Sequence, residues 1–482
     1  MADFDCIVIG AGIGGLVSAG RLASKGFKTL LIDKNSTPGG YLQSFKRKGV
    51  TFDSSIDCFS GLDANGPITR VLEALGVKDE IVPITIDPIR RSVFPSMTID
   101  VHADIERYIE DLKSLFGSER GGIDSFFSKL TGLYSEIKAW GEFITGTRPD
   151  ELIPERLISA SRLTYKDLLD AHIKDERLKA VLSDRCPFYN LPASRASAIA
   201  MAALVMSYFD SGAYRVKGGS QRLAEALVKG IRAKGSEVLM NTSATKILTE
   251  GNRAVGIETS NNGRYTGRAV ISAIDFHTTF GRLLSGTESS KGALGQRLPD
   301  VSSSFFILYA AFKGDIGPHG KASSIGWYPS FDMEANFSHD APFSERGSIG
   351  ITIPTITDAS MAPAGIHSIT AHEMCEVSFS ADWKRDKKTL TEKVLKKVEA
   401  IIPGITRDPV HIESATPATL ERYTNNLSGA AYGWEQAPGI RPLRTYLNGL
   451  YLAGHWEGTG GGILASAYSG HKAASKVEKD LG

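Results

Sequence analysis

The sequence has almost no net charge, few cysteines and no long apolar run, and each shortage removes a class of function. Fifty-five lysines and arginines face 54 aspartates and glutamates, a formal charge of +1, so no overall field exists to hold a phosphate backbone or steer an acidic ligand. Nucleic acid is not an expected partner. The four cysteines, Cys6, Cys58, Cys186 and Cys375, lie far apart, with neither a C-x-x-C pair nor metal-ligand spacing to the ten histidines. They read as reduced thiols of a cytoplasmic protein, and no metal site is expected. The longest apolar stretch, Ala198 to Phe209, is about half of the ~20 residues that cross a bilayer. Met1 to Asp5 carries no basic flank, and the apolar run after it enters glycines directly, so neither a signal peptide nor a spanning helix is expected.

What is present is an ordinary globular composition, 42% hydrophobic and 23% charged over 482 residues, longer than one core usually grows. Cys6 to Ile9 has the character of a buried parallel strand, Leu16 to Lys25 has helical spacing, Gly26 stops that helix, and Lys28 to Ile32 reads as a second strand. A β-α-β unit therefore opens the chain. Residues 1–83 form the first part of this domain, and 84–209 read as a mainly helical substrate or membrane-contact region, with helices over Ile105 to Phe116 and Thr164 to Val181. Sheet character returns within 210–290, with Asn261-Asn262-Gly263 at a turn. Residues 291–410 suggest a second sheet, through Ser304 to Phe312 and Ser348 to Pro354, followed by a helix from Lys388 to Ile402. Residues 411–482 close the first domain with a strand at Leu450 to Ala453 and a helix from Ile463 to Leu481.

Gly10-Ala11-Gly12-Ile13-Gly14-Gly15 fits G-x-G-x-x-G, a weak signal alone among 50 glycines but a strong one between strand and helix. Gly10 permits the tight turn, Gly12 lets a pyrophosphate approach the backbone, and Gly15 allows close helix packing, while the helix N-terminus faces the phosphates with free N–H groups. Asp33, 23 residues after Gly10, stands where an acidic side chain takes ribose hydroxyls. This fingerprint alone accepts FAD or NAD.

The choice comes from a resemblance. Asp33-Lys34-Asn35-Ser36-Thr37-Pro38-Gly39-Gly40 followed by Gly49 to Asp53, then Tyr214 to Ser220, and finally Leu450 to Trp456 with Gly460-Gly461-Gly462-Ile463 and Ser469-Gly470 resemble, in order, the flavin motifs of the phytoene desaturase, carotenoid isomerase and amine oxidase superfamily. Leu191 to Ala198, Gly212 to Tyr214 and Ala430 to Glu435 resemble its polyene branch of carotenoid desaturases, isomerases and retinol saturases. The resemblance implies an α/β fold: a Rossmann-like FAD-binding domain with an inserted α+β substrate domain, of the glutathione-reductase or amine-oxidase type. It implies one non-covalent FAD, held by Gly10, Gly12, Gly14, Gly15, Asp33, Lys34, Gly39, Gly40, Gly454, Gly461, Gly462 and Ile463, with Val238 contacting adenine through its backbone. Gly39-Gly40 would let backbone approach the cofactor, and Gly461-Gly462 would leave room for a flat ring. Tyr41, Asp57 and His455 stand where relatives often carry arginine, a glycine–histidine pair and an acidic residue.

The activity implied is oxidoreduction of carbon–carbon double bonds in a long apolar isoprenoid or carotenoid. Desaturation comes first, a redox-neutral isomerase or a saturase using reduced FAD is the alternative, and an amine oxidase or a flavin-free prenyl-binding protein of the Rab GDP dissociation inhibitor type is the rival. Neither the substrate's identity nor the electron acceptor is specified. Hydride transfer at the flavin needs only a positioned C–H bond. Asp57, Glu457 and His455 are the candidate proton carriers because they flank the flavin motifs, against a structural role for each; His277, His372 and His411 read as plain histidines. Ala198 to Met206, apolar nearly all round, reads as a core helix or the wall of an apolar tunnel. Leu152, Ile153, Leu157 and Ile158 with Arg156 and Arg162 form either a packed amphipathic helix or a stripe for peripheral contact with the inner face of a membrane.

Overall fold

The computed structural model describes residues 2–482 apart from 145–153, 315, 339, 440–442 and 459. Leu152 and Ile153 of the apolar stripe lie outside the described residues. The opening strand Phe4–Ile9 pairs in parallel with Thr29–Ile32, which pairs in parallel with Glu237–Leu239. On its other side lies the second half of Arg264–Ser272, which in turn carries Leu450–Leu452, also parallel. The antiparallel strands Ala244–Glu250 and Arg253–Thr259 extend this sheet beyond the first half of Arg264–Ser272, and Asn262 makes the turn with φ +61°. One sheet is thus assembled from three separated stretches of chain, as an inserted domain requires.

The helix Ile13–Ser24 ends at Gly26, whose φ of +87° stops it. It packs against the last helix, Ile463–Leu481, at glycine distance: Ser18 Oγ donates to the carbonyls of both Gly14 and Gly470 at 2.8 and 3.0 Å. A Cβ on Gly470 would stand 2.4 Å from the Gly14 carbonyl oxygen.

The second sheet runs Pro409–Ala415, Ser304–Lys313, Ile366–Cys375, Ile349–Thr352, Ser324–Trp327, Arg90–Phe94, Met97–Val101. Period two divides the long strand Ser304–Lys313 between two cores. Phe306, Leu308, Ala310 and Phe312 meet Leu390, Val394 and Val398 of the helix Trp383–Ile401, while Ile307, Tyr309 and Ala311 meet Val50 and Phe52. The strand is therefore buried on both faces instead of alternating between core and solvent. Two strands, Arg90–Phe94 and Met97–Val101, come from the segment expected to be mainly helical and form the sheet's far edge. The rest of that segment is helical, with Ile105–Leu115, Arg120–Ile144 and Ala198–Ser211 sharing a core. The helix expected over Thr164 to Val181 is two, Tyr165–His172 and Glu176–Leu182, because the Asp175 side chain accepts from the amides of Arg177 and Leu178 and caps a new start.

Candidate active site

The parallel strands all point their carboxyl ends at one cavity of about 970 Å³, at the top of the ~300–1,000 Å³ range of small-molecule and cofactor sites. Gly10 follows the first strand, Asp33 the second, Ala273 the long strand and Ala453-Gly454 the last, and all of them line the cavity. A crevice beyond the carboxyl ends of strands is where open α/β sheets bind ligands.

The glycines of the loop are held to glycine by different constraints. Gly10 turns with φ +101°. Gly12 has φ −71°, and a Cβ there meets no atom within 4 Å, so its hydrogen faces the cavity. A Cβ on Gly14 would lie 2.8 Å from the amide nitrogen of Gly454, and one on Gly15 would lie 1.9 Å from the carbonyl oxygen of Gly10. Gly15 thus packs helix onto strand without lining the cavity. Asp33 ties this loop to the turn that follows the second strand: its Oδ2 accepts from the Ala11 amide at 2.7 Å and its Oδ1 from the Asn35 amide at 2.8 Å. Burial pushes its carboxyl above the ordinary value, and the remaining lone pairs stay available to hydroxyl donors. Lys34 lines the same end, its ammonium donating to Asn425 Oδ1 at 2.6 Å and to the Arg422 carbonyl at 2.7 Å.

Farther along, Gly39 (φ +123°) and Gly40 (φ +57°) bring backbone to the wall. Gly454 and Gly462 have φ of +84° and +89°, and a Cβ on either meets nothing within 4 Å, whereas one on Gly461 would lie 2.7 Å from Tyr432 Cβ. Gly462 faces the cavity; Gly461 is required by Tyr432. Gly462 precedes the last helix and Ile463 opens it, so the helix presents its positive end here. Tyr41 donates its hydroxyl to the Ala430 carbonyl at 2.8 Å, and burial pushes its phenol up to about 12. The cradle of Gly12, Gly40, Gly454 and Gly462, open to backbone N–H groups and a helix N-terminus, fits an elongated dinucleotide with a flat ring at its far end.

Besides Gly15, two expected residues lie outside the cavity lining. Val238 sits in the middle of its strand, buried in the core, and its carbonyl accepts from Arg232; Thr242, Ser243 and Ala244, beyond the strand's end, line the cavity instead. Glu457 does not line it either, because its carboxylate is buried 2.7 Å from Lys472 Nζ. Asp57 and His455 do line it. Asp57 is held by Arg215 at 2.8 Å and by the Ser324 hydroxyl, and burial lowers His455 to about 4, so its imidazole is neutral. Asn35, Arg282 and Arg90 also line the cavity without having been singled out in the sequence, which offers no local signal for them.

Beyond the cradle the cavity continues between the helices Arg120–Ile144, Glu155–Ala160 and Ala198–Ser211, past Ile137, Trp140, Leu157, Ile199 and Leu204. Ile158, 58% exposed, stands at this end. The apolar helix is thus both core and tunnel wall: Met201 and Ala202 are buried in the helical core while Ile199, Ala203 and Leu204 line the arm.

Comparison with known proteins agrees with this geometry. The profile of the family described as flavin containing amine oxidoreductase matches residues 13–285, more than half of the chain. A chloroplastic prolycopene isomerase of Daucus carota is 28% identical over all of this chain and 81% of its own length. A lycopene-forming phytoene desaturase of Pantoea ananas is 25% identical over 98% of this chain and 99% of its own. The crystal structure of an oxidoreductase from Methanosarcina mazei superposes over 99% of both chains with a TM-score of 0.66 at 16% identity, a likeness of fold.

Proposed function

The chain belongs to the flavin containing amine oxidoreductase family, and on that premise we propose that this FAD-dependent oxidoreductase acts on carbon–carbon double bonds of a long apolar polyene of isoprenoid type. The observation that carries the reading is continuity: one cavity joins the glycine cradle to an arm walled by Ile137, Trp140, Ile199 and Leu204. Such walls recognise hydrocarbon by burial, about 25 cal/mol per Å². They offer little to an amine. Of the two aspartates among the described residues that line the cavity, Asp33 is engaged by backbone amides and Asp57 by Arg215, which leaves no unpaired carboxylate among those residues to meet an ammonium.

FAD, when bound, supplies the two-electron acceptor or donor. The backbone at Gly12 and the helix start at Ile13 would hold its phosphates, Asp33 would take the ribose hydroxyls, and the last helix would offer its positive end to the ring. Thr242 to Ala244 would take the adenine end. Tyr41 and neutral His455 exclude water from the joint between cradle and arm. No helix among the described residues is long and apolar enough to cross a membrane. The exposed Ile158 at the end of the arm is the point at which a bilayer surface would deliver the polyene.

Desaturation is the first reaction assigned. A redox-neutral double-bond isomerisation is favoured by one observation, the 28% identity over the whole chain to a prolycopene isomerase against 25% to a phytoene desaturase. Anaerobic mixing with candidate polyenes tests both. Bleaching of oxidised holoenzyme with a product two hydrogens lighter is the desaturase result, and many turnovers from reduced holoenzyme with unchanged product mass is the isomerase result. No change in any polyene, from either redox state, rejects the proposed function.

A further inference from the structure

Outside the segments assigned to FAD, the cavity backs onto a buried cluster whose charges do not cancel. Arg90, Arg185 and Arg215 have side chains 4, 4 and 5% exposed, against two carboxylates, Asp57 and Asp184, at 14 and 6%. Only one pair is tight: Arg215 Nη2 donates to Asp57 Oδ1 at 2.8 Å, and its Nε donates to the Asp57 carbonyl at 2.7 Å. Asp184 takes its hydrogen bond from Ser92 Oγ at 2.7 Å and lies 3.9 Å from the nearest nitrogens of Arg90 and Arg185, beyond hydrogen-bond reach. The contacts of Arg90 to Ser324 Oγ and Tyr328 Oη are 3.4 Å, at the outer limit. Left with no partner are Arg90 Nε, Arg215 Nη1, both terminal nitrogens of Arg185, and Nε2 of His372.

An unpaired buried cation is costly, and the usual remedy is a partner of opposite charge with its hydrogen bonds. Arg90, Asp57 and His372 line the cavity, and Phe188, over which both Arg90 and Arg185 stack at 5.1 and 4.9 Å, lines it too. Arg90 thus forms part of the cavity wall, with its orphaned Nε itself buried behind that wall. A hydrocarbon end group offers it nothing.

We propose that this wall receives a carboxylate at one end of the substrate, so that the class served is polyene acids, with the chain in the apolar arm and the carboxylate on Arg90. The inference rests on the polyene reading above and narrows it. Burial lowers His372 to about 4, which leaves a neutral imidazole beside the guanidinium as a second hydrogen-bonding group. The same cationic surplus would suit the negative charge of a reduced flavin, and the experiment separates these two sources.

Oxidised holoenzyme is titrated with all-trans-retinoic acid, all-trans-retinol and β-carotene, and binding is read from quenching of protein fluorescence. The acid is expected to bind at least tenfold more tightly than the alcohol. Arg90→Gln should remove that preference, leaving retinol affinity within twofold and FAD content unchanged. Asp57→Asn, which takes away a negative charge at the same wall, should tighten the acid a few-fold, and it tests the idea even if Arg90→Gln fails to fold. Equal affinity for acid and alcohol overturns the inference while leaving the polyene reading intact. So does an Arg90→Gln protein that keeps its acid preference but shifts the flavin midpoint potential, since the surplus then serves the flavin. If none of the three probes binds, both readings fall.

Discussion

Gly12 and Gly15 stand three residues apart in one loop, yet the structure assigns their missing side chains to different causes. Gly12→Ala places a Cβ that meets no protein atom within 4 Å, on a backbone with φ −71° and ψ 175° that alanine adopts without strain. The apoprotein should be as stable as the native one, or more stable by about 0.4–1 kcal/mol through the lost freedom of the unfolded chain. Its FAD affinity should fall, because the methyl occupies the approach to the phosphates and removes one or two charge-assisted hydrogen bonds of about 1.5–3 kcal/mol each, roughly tenfold to ten-thousandfold in affinity. Gly15→Ala reverses the pattern. Its Cβ would lie 1.9 Å from the Gly10 carbonyl oxygen and 3.2 Å from Ala273 Cβ; these are backbone and a fixed methyl, so the helix must move, at about 1–3 kcal/mol or more. Urea unfolding of the two apoproteins, with FAD rebinding followed by flavin fluorescence, reads both quantities. Native FAD affinity in Gly12→Ala, or native stability in Gly15→Ala, would refute the division.

Asp33→Ala should loosen FAD by about 1.5–3 kcal/mol per lost ribose bond and also free the Ala11 amide it now holds at 2.7 Å; equilibrium dialysis with FAD showing no change would make Asp33 a loop clasp alone. His471 stands with Nε2 2.9 Å from the Pro67 carbonyl and Nδ1 3.4 Å from Arg21, and burial lowers it to about 4. Between pH 6.5 and 4 the unfolded chain therefore binds a proton that the folded chain refuses, so stability is lost as pH falls through that window, by up to about 1.4 kcal/mol per pH unit. His471→Gln should flatten the slope of urea midpoint against pH, and an unaltered slope contradicts the assignment. Ile158→Glu, at the exposed end of the arm, should reduce co-sedimentation with liposomes without changing FAD content; equal sedimentation would move the membrane contact elsewhere.

What could be read from the sequence was whatever local pattern decides. The opening strand, helix and strand, the turn at Gly10, the close helix packing at Gly15, and the last helix over Ile463–Leu481 follow from periodicity and glycine placement within one stretch of chain. Arg90–Phe94 was not legible as a strand because Arg-Arg-Ser reads as a solvated loop; it is a strand whose Arg90 and Ser92 point into a buried ion cluster supplied by Asp184. The apolar spacing of Thr164 to Val181 runs unbroken through a cap that only Asp175 marks. Val238 was expected at the cofactor because it lies on the right strand, but the cavity opens past strand ends, where Thr242 to Ala244 stand. Glu457 adjoins the flavin motif in sequence and faces Lys472 in space, and Asp57 meets Arg215 from 158 residues away. Pairings of that range leave no trace in spacing or composition.

If cofactor and polyene occupy one cavity from opposite ends, Ala203→Trp should block the second while sparing the first. Ala203 lines the apolar arm on the helix Ala198–Ser211, where an indole would narrow the passage. The measurement is anaerobic polyene conversion per bound FAD. The account predicts FAD bound as in the native protein with conversion reduced at least about a hundredfold, the cost of ~2.7 kcal/mol in the productive complex. Conversion at the native rate by the Ala203→Trp holoenzyme would contradict it, since the polyene would then reach the flavin by a path this cavity does not provide.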